Sequence, residues 1–281
     1  MSKKNLEFIS CDFSPLPDNC PAKAVFLKDM IKVVTWQKSL KGIKRISKTQ
    51  YVNVETGEIC QYKINNQKAD NTQSMKNSLN KLNVLIQNNF EEFKSFFVTL
   101  TYAEEMQAFY KAGNDFRKFY DKLKYHYNQN RLEYLRIIEA TENGTWHIHI
   151  LLKSSIANEK FIIKQEDVQA LWKYGSVKVS RIYNVNGLIK YFCTHHSEKS
   201  MKNIKKSKSK IKQARWKYYP YGARIYSKSK GIVYPREERG TRIEIDKYVV
   251  GHTKIKEDSA IAQADTGSVF QRITHEYFDN K

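Results

Sequence analysis

Glu139-Ala-Thr-Glu-Asn-Gly-Thr-Trp-His147-Ile-His149-Ile-Leu-Leu152 is the stretch on which the reading of this 281-residue chain turns. Two β-compatible runs, 132–140 and 146–152, flank Asn143-Gly144, a pair that signals a hairpin turn. Side chains alternate across a strand, so His147 and His149 share one face while Ile148 and Ile150 share the other. Two imidazoles ~7 Å apart along one strand face can share a metal ion.

The turn decides whether Glu139 joins them. A two-residue Asn-Gly turn pairs Glu139 with Ile148 and sends the carboxylate to the opposite face. A three-residue loop, Glu142-Asn143-Gly144, with Gly144 in the left-handed bulge position, pairs Glu139 with His147 instead. The metal reading therefore expects a loop with an odd number of residues. Taken alone, His-x-His also suits the solvent face of an amphipathic strand, and the carboxylate across the hairpin is what favours a ligand set.

A formal net charge of +20 calls for a polyanionic partner held partly by counterion release, and nucleic acid is the first expectation. No basic amphipathic anchor stands out, and no run approaches the ~20 apolar residues of a membrane span, so no membrane partner is expected. The N-terminus lacks the apolar core of a signal peptide, which points to the cytoplasm. Cys11, Cys20, Cys60 and Cys193 form no CxxC pair and read as reduced thiols.

Residues 1–50 carry little structural signal, and 51–60 reads as a peripheral hairpin around Thr56-Gly57. Leu79, Leu82, Leu85, Ile86 and Phe90 predict an amphipathic helix over 74–90, capped by Ser74. The β-prone run 96–102 suits a central strand. Asn114-Asp115 is expected to open a helix with Phe116, Phe119, Leu123 and Tyr127 on one stripe and Arg117, Lys118, Lys122 and Lys124 exposed. After the hairpin, 165–172 reads as helix, 177–181 as strand and 186–196 as helix. That order predicts an α+β fold with a central antiparallel sheet of the ferredoxin-like, split βαβ type. The domain boundaries expected are an N-terminal extension at 1–90, a core at 91–198 and a C-terminal extension at 199–281. In the last, 242–250 and 271–278 are expected as strands.

The stretch 199–236 holds thirteen Lys or Arg and no acid, interleaved with Trp216, Tyr218, Tyr219, Tyr221 and Tyr226. Cations for phosphates and flat rings for bases are what a single-strand groove uses. Lys190, Lys199, Arg215, Trp216, Lys217, Arg224, Lys228 and Lys230 are the candidate nucleic-acid contacts, whereas 205–212 reads as a solvated linker.

On the helix over 186–196, Tyr191 lies about 100° from Phe192 and so at the edge of the apolar stripe. Its hydroxyl can leave the core there and reach the sheet surface. His195, four residues on, shares its face. With 18 tyrosines in the chain, most serving packing or stacking, the case for Tyr191 rests on its surroundings.

Phe97-Val-Thr-Leu-Thr-Tyr102, then Glu139 followed by His147-Ile-His149, then Lys190-Tyr191 resemble the three ordered motifs of HUH endonucleases, specifically rolling-circle replication initiators of bacterial plasmids and phages. The likeness extends from Asn88-Asn-Phe90 through 222–231. It implies a HUH endonuclease core in which Glu139, His147 and His149 hold one divalent ion, Mn²⁺ or Mg²⁺, and Tyr191 is the nucleophile. It further implies single-stranded or hairpin origin DNA as substrate, a 5′-phosphotyrosine intermediate, and a free 3′-hydroxyl that primes a host DNA polymerase. No Gly-x-x-x-x-Gly-Lys-Ser/Thr loop occurs, so a host helicase is expected as partner, in a bacterial cytoplasm.

Many family members carry a lysine three residues after the tyrosine, where this chain has Thr194. His195 is the candidate to replace it as base or cation, with Lys190 and Lys199 also available. Supplying phenolate at pH 7 from a reference pKa of ~10 costs on the order of 4 kcal/mol, so some such helper is needed. Metal binding needs neutral imidazoles, and activity is expected to fall below about pH 6.

Three alternatives compete. HUH relaxases place the tyrosine ahead of the histidine pair, whereas Tyr191 follows it, and single-tyrosine HUH transposases keep this order but are usually shorter. A non-catalytic single-stranded nucleic-acid-binding protein would use the same sheet for stacking, with no need of metal.

Overall fold

The hairpin has the odd loop. Ala140 pairs with Trp146 and Glu139 with His147, while the Thr141 N–H donates to the Thr145 carbonyl at 2.8 Å, so that Glu142, Asn143 and Gly144 form the loop. Gly144 has φ +84°, the left-handed conformation that favours glycine. The structure, a computed structural model, describes residues 6–7, 15–37, 43–53, 56–62, 72–127, 132–156, 162–193, 215–263 and 269–280. The chain divides into two compact units, one of 65–234 and one of 1–64 with 235–281.

The hairpin lies in the first unit. Its elements are α1 (Thr72–Asn89), β1 (Phe96–Leu100), α2 (Phe109–His126), β2 (Leu132–Ala140) and β3 (Trp146–Ser154), then α3 (Gln165–Leu171), β4 (Val177–Arg181), α4 (Val185–Cys193) and β5 (Tyr226–Lys228). The fold is α+β, with the sheet ordered β4-β1-β3-β2-β5 and every neighbouring pair antiparallel. β3 therefore sits between β1 and β2, and β1 between β3 and β4.

Alternation assigns the two faces. Val98, Leu100, Ile148 and Ile150 are buried, and the α2 stripe of Phe116, Phe119, Tyr120 and Leu123 is buried in the same core. α2 packs on β2, β3 and α3, and α1 packs on α4. Each such large side chain removed from water contributes about 1.5–3 kcal/mol, so this covering of the sheet dominates its stability.

Local details depart from the sequence reading. α2 begins at Phe109, and Asp115 is not its opening residue but a buried one within it, accepting from Tyr102 Oη at 3.1 Å and Lys111 Nζ at 3.2 Å. The boundaries also fall elsewhere: α1 and the segment 215–234 belong to the unit that holds the hairpin, so neither is an extension to it. β5 adds to the sheet edge at β2.

The second unit joins the two ends of the chain. Its six-stranded antiparallel sheet runs Leu6–Glu7, Lys254–Gln263, Val269–Asp279, Met30–Trp36, Pro21–Phe26 and Arg236–Thr241. Ala22, Ala24, Ile31, Val33, Ile245, Val249 and Phe278 form its core. The region that reads as featureless in sequence thus supplies two strands. The strand expected over 242–250 is instead a short helix, Arg242–Asp246, opened by a capping box between Thr241 and Glu244. Ile43–Arg45, Gln50–Asn53 and Ile59–Gln61 form a separate three-stranded sheet with Gly57 at φ +71°, which contains the hairpin expected over 51–60.

Candidate active site

Glu139 on β2, His147 and His149 on β3, and Thr99 on β1 stand on one sheet face, because Glu139 opposes His147 and Thr99 opposes His149 in the register. His149 is buried, at 5% exposure, and its Nε2 lies 3.5 Å from Glu139 Oε2. Thr99 Oγ1 sits 3.1 Å from His149 Nδ1. With Nδ1–H donating to Thr99, the Nε2 lone pair is left for an electrophile on the Glu139 side.

α4 brings the phenol to this face. The Tyr191 and His149 rings meet edge to face with centroids 5.8 Å apart, and Phe97 stacks on His149 at 5.5 Å. Phe192 is buried beside them, whereas Tyr191 keeps 46% exposure and an open approach from solvent. Burial, then the neighbouring Glu139 carboxylate, pushes the Tyr191 phenol up to about 12, against the pull of Arg215. Burial first, and His149 next, lowers the pKa of His147, so its imidazole stays neutral to lower pH than a solvated one.

Arg215, at the start of the short 3₁₀ helix Arg215–Tyr218, contributes a cation here instead of on an outer groove. Its Nη1 lies 3.4 Å from Glu139 Oε1 and its Nη2 3.7 Å from Glu142 Oε1. Trp216 is only 7% exposed and packs in the core, so it is not an open stacking platform. Tyr219 is likewise buried, donating to the Ile138 carbonyl at 2.6 Å. Tyr226 is half-buried and bonds to Tyr234.

The other candidate contacts divide. Lys190, Lys217, Arg224 and Lys230 are exposed, as is Tyr221, whereas Lys228 donates to the Ile232 carbonyl. His195 and Lys199 lie outside the described residues, as does the basic run 205–212. Sequence reasoning does not find the roles of Thr99 and Arg215 in this cluster. Thr99 carries a signal, since it lies two positions from Phe97 on the strand face that the first motif defines.

A carboxylate and two imidazoles on one face suit a divalent ion, and the Thr99 contact is the orienting partner that ligating histidines use. The donors are at present engaged with one another and with Arg215. Among the described residues, no group of three or more His, Cys, Asp or Glu is already gathered closely enough to enclose an ion. Loading the site thus requires Glu139 to shift away from its resting contacts.

An antiparallel α+β sheet with acid, imidazole and phenol side chains on one face defines a class of candidate phosphoryl-transfer proteins. Residues 95–201, the stretch from β1 through α4, match the family model of replication-associated proteins of the ORF2 type. That family is consistent with a rolling-circle replication initiator, and it suggests DNA as the partner. No curated protein and no solved structure matches the chain. Among the described residues, no helix is long and apolar enough to cross a membrane.

Proposed function

We propose that the chain is a metal-dependent nickase and strand transferase for single-stranded or hairpin origin DNA, initiating rolling-circle replication through a 5′-phosphotyrosine. The observation that carries this reading is the meeting of Tyr191 with His149 on the face that bears Glu139 and His147. The strand order β4-β1-β3-β2, with helices between, is that of a split βαβ HUH core and supports it.

Glu139, His147 and His149 would hold Mn²⁺ or Mg²⁺, and the chemistry supplied is Lewis-acid polarisation of the scissile phosphate. Tyr191 Oη attacks phosphorus in line as the P–O3′ bond breaks. The departing 3′ oxygen takes up a proton, leaving a 3′-hydroxyl for a host polymerase to extend and a phosphotyrosine that conserves the bond for rejoining. Because burial raises the phenol's pKa, its proton needs an acceptor or its charge a cation. His195 is proposed for that task, and a His195→Ala variant nicking at the wild-type rate from about pH 6 to 9 would exclude it. Exposed Lys190, Lys217, Arg224 and Lys230 are proposed to hold the DNA backbone, with a host helicase opening the duplex.

The test is to incubate supercoiled plasmid carrying the element's own origin with the full chain and Mn²⁺. Nicked product with protein on its 5′ end is expected, lost in Tyr191→Phe while DNA binding persists. Salt-sensitive binding that never yields an adduct under these conditions identifies a non-catalytic single-strand binder instead.

A further inference from the structure

We infer that Arg215 is the resident counter-cation of Glu139, giving up the carboxylate to a divalent ion and passing its guanidinium to a phosphate of the DNA. The inference rests on the metal reading proposed above and concerns what holds the site before it is loaded.

Arg215 is delivered by a segment fastened to the β2–β3 hairpin. Trp216 is buried, Tyr219 Oη donates to the Ile138 carbonyl at 2.6 Å, and Tyr218 Oη donates to the Glu142 carbonyl at 2.8 Å. The Tyr218 ring also fills the space beside Gly144, where an added Cβ would lie 2.9 Å from Cε1. The segment is therefore preorganised against the site, and the guanidinium is fixed at its root.

Its pairing with the carboxylates, in contrast, is loose. Separations of 3.4 Å to Glu139 and 3.7 Å to Glu142 exceed the ~2.7–2.9 Å of a good charge-assisted pair. The Arg215 Nε–H is buried and has no hydrogen-bond acceptor. A fork with one donor unmet and two long contacts is in a poor resting state that a better acceptor can replace. A phosphate oxygen is such an acceptor, since guanidinium matches its geometry bidentately. Divalent charge at Glu139 repels the guanidinium, so loading the site and releasing Arg215 are coupled.

The experiment measures Mn²⁺ binding by calorimetry to the full-length, DNA-free wild type and to Arg215→Gln, Arg215→Lys and Glu139→Gln. Arg215→Gln is expected to bind Mn²⁺ roughly three- to tenfold more tightly than wild type, because the competing cation is gone. Arg215→Lys, which keeps the charge, should return toward the wild-type value, separating charge from any change in folding. In Mn²⁺, Arg215→Gln should also show a shallower salt dependence of single-stranded oligonucleotide binding, by about one phosphate contact. Equal or weaker Mn²⁺ binding by Arg215→Gln overturns the inference. If Glu139→Gln binds Mn²⁺ as the wild type does, or no form binds it, the metal reading falls and this inference with it. If Glu139→Gln alone loses Mn²⁺ while Arg215→Gln matches wild type, only this inference falls.

Discussion

The Glu139 carboxylate reaches diagonally past its cross-strand partner His147 to His149, bringing Oε2 to 3.5 Å from Nε2. A diagonal neighbour on an antiparallel sheet is within reach of a long side chain, so this contact follows from register and side-chain length. His149 is then held from two sides, by Glu139 at Nε2 and by Thr99 at Nδ1.

That double hold makes Thr99 an orienting residue. Thr99→Val keeps the shape and removes the Oγ1 that fixes the His149 ring. On the metal reading, Mn²⁺ affinity should fall roughly 10- to 100-fold with little change in melting temperature, the usual cost of losing such a partner. Calorimetric titration decides it. An unchanged affinity would show that Phe97 stacking alone sets the ring.

The register depends on Gly144. At φ +84° any side chain is strained, and its Cβ would also meet the Tyr218 ring. Gly144→Ala should therefore cost about 1–3 kcal/mol in urea unfolding. Gly57, at φ +71° but with nothing within 4 Å of its added Cβ, bears only the strain, and Gly57→Ala should cost about 1 kcal/mol. Equal losses at the two positions would mean that the Tyr218 contact does not constrain the loop.

How much of this is legible in the sequence depends on how local each signal is. The three-residue loop, β1, β4 and the apolar stripe of α2 are readable because hydrophobic period and turn chemistry act over a few residues. Pro21–Phe26 and Met30–Trp36 escape such a reading because their sheet is completed by strands more than 200 residues away, a pairing that local pattern does not reveal. The helix Arg242–Asp246 escapes it too, although Thr241-Arg-Ile-Glu244 spells a capping box; the β-formers downstream outweigh that cue. Trp216 resembles a base-stacking ring because composition reports what surrounds a side chain in sequence, and only folding shows it to be core. Arg215 is misplaced for the same reason: its charge is visible in the sequence, but its distant partner Glu139 is not.

The unit formed by the two chain ends should be acid-sensitive through His275. Burial, then the Lys32 charge, lowers its imidazole from 6.5 to about 4, and its buried Nδ1 has no hydrogen-bond partner. The unfolded chain therefore takes up the proton first as pH falls. His275 contributes stability that is fully present above about 6.5, declines between 6.5 and about 4, and falls no further below that. The loss from this one group should reach on the order of 3 kcal/mol at ~1.36 kcal/mol per pH unit. Urea unfolding across this window, followed by a probe in the terminal unit, should show a decline in the wild type that His275→Gln flattens. A variant that keeps the full acid slope would place the proton uptake on another group, and would show that the native imidazole is solvated enough to titrate normally.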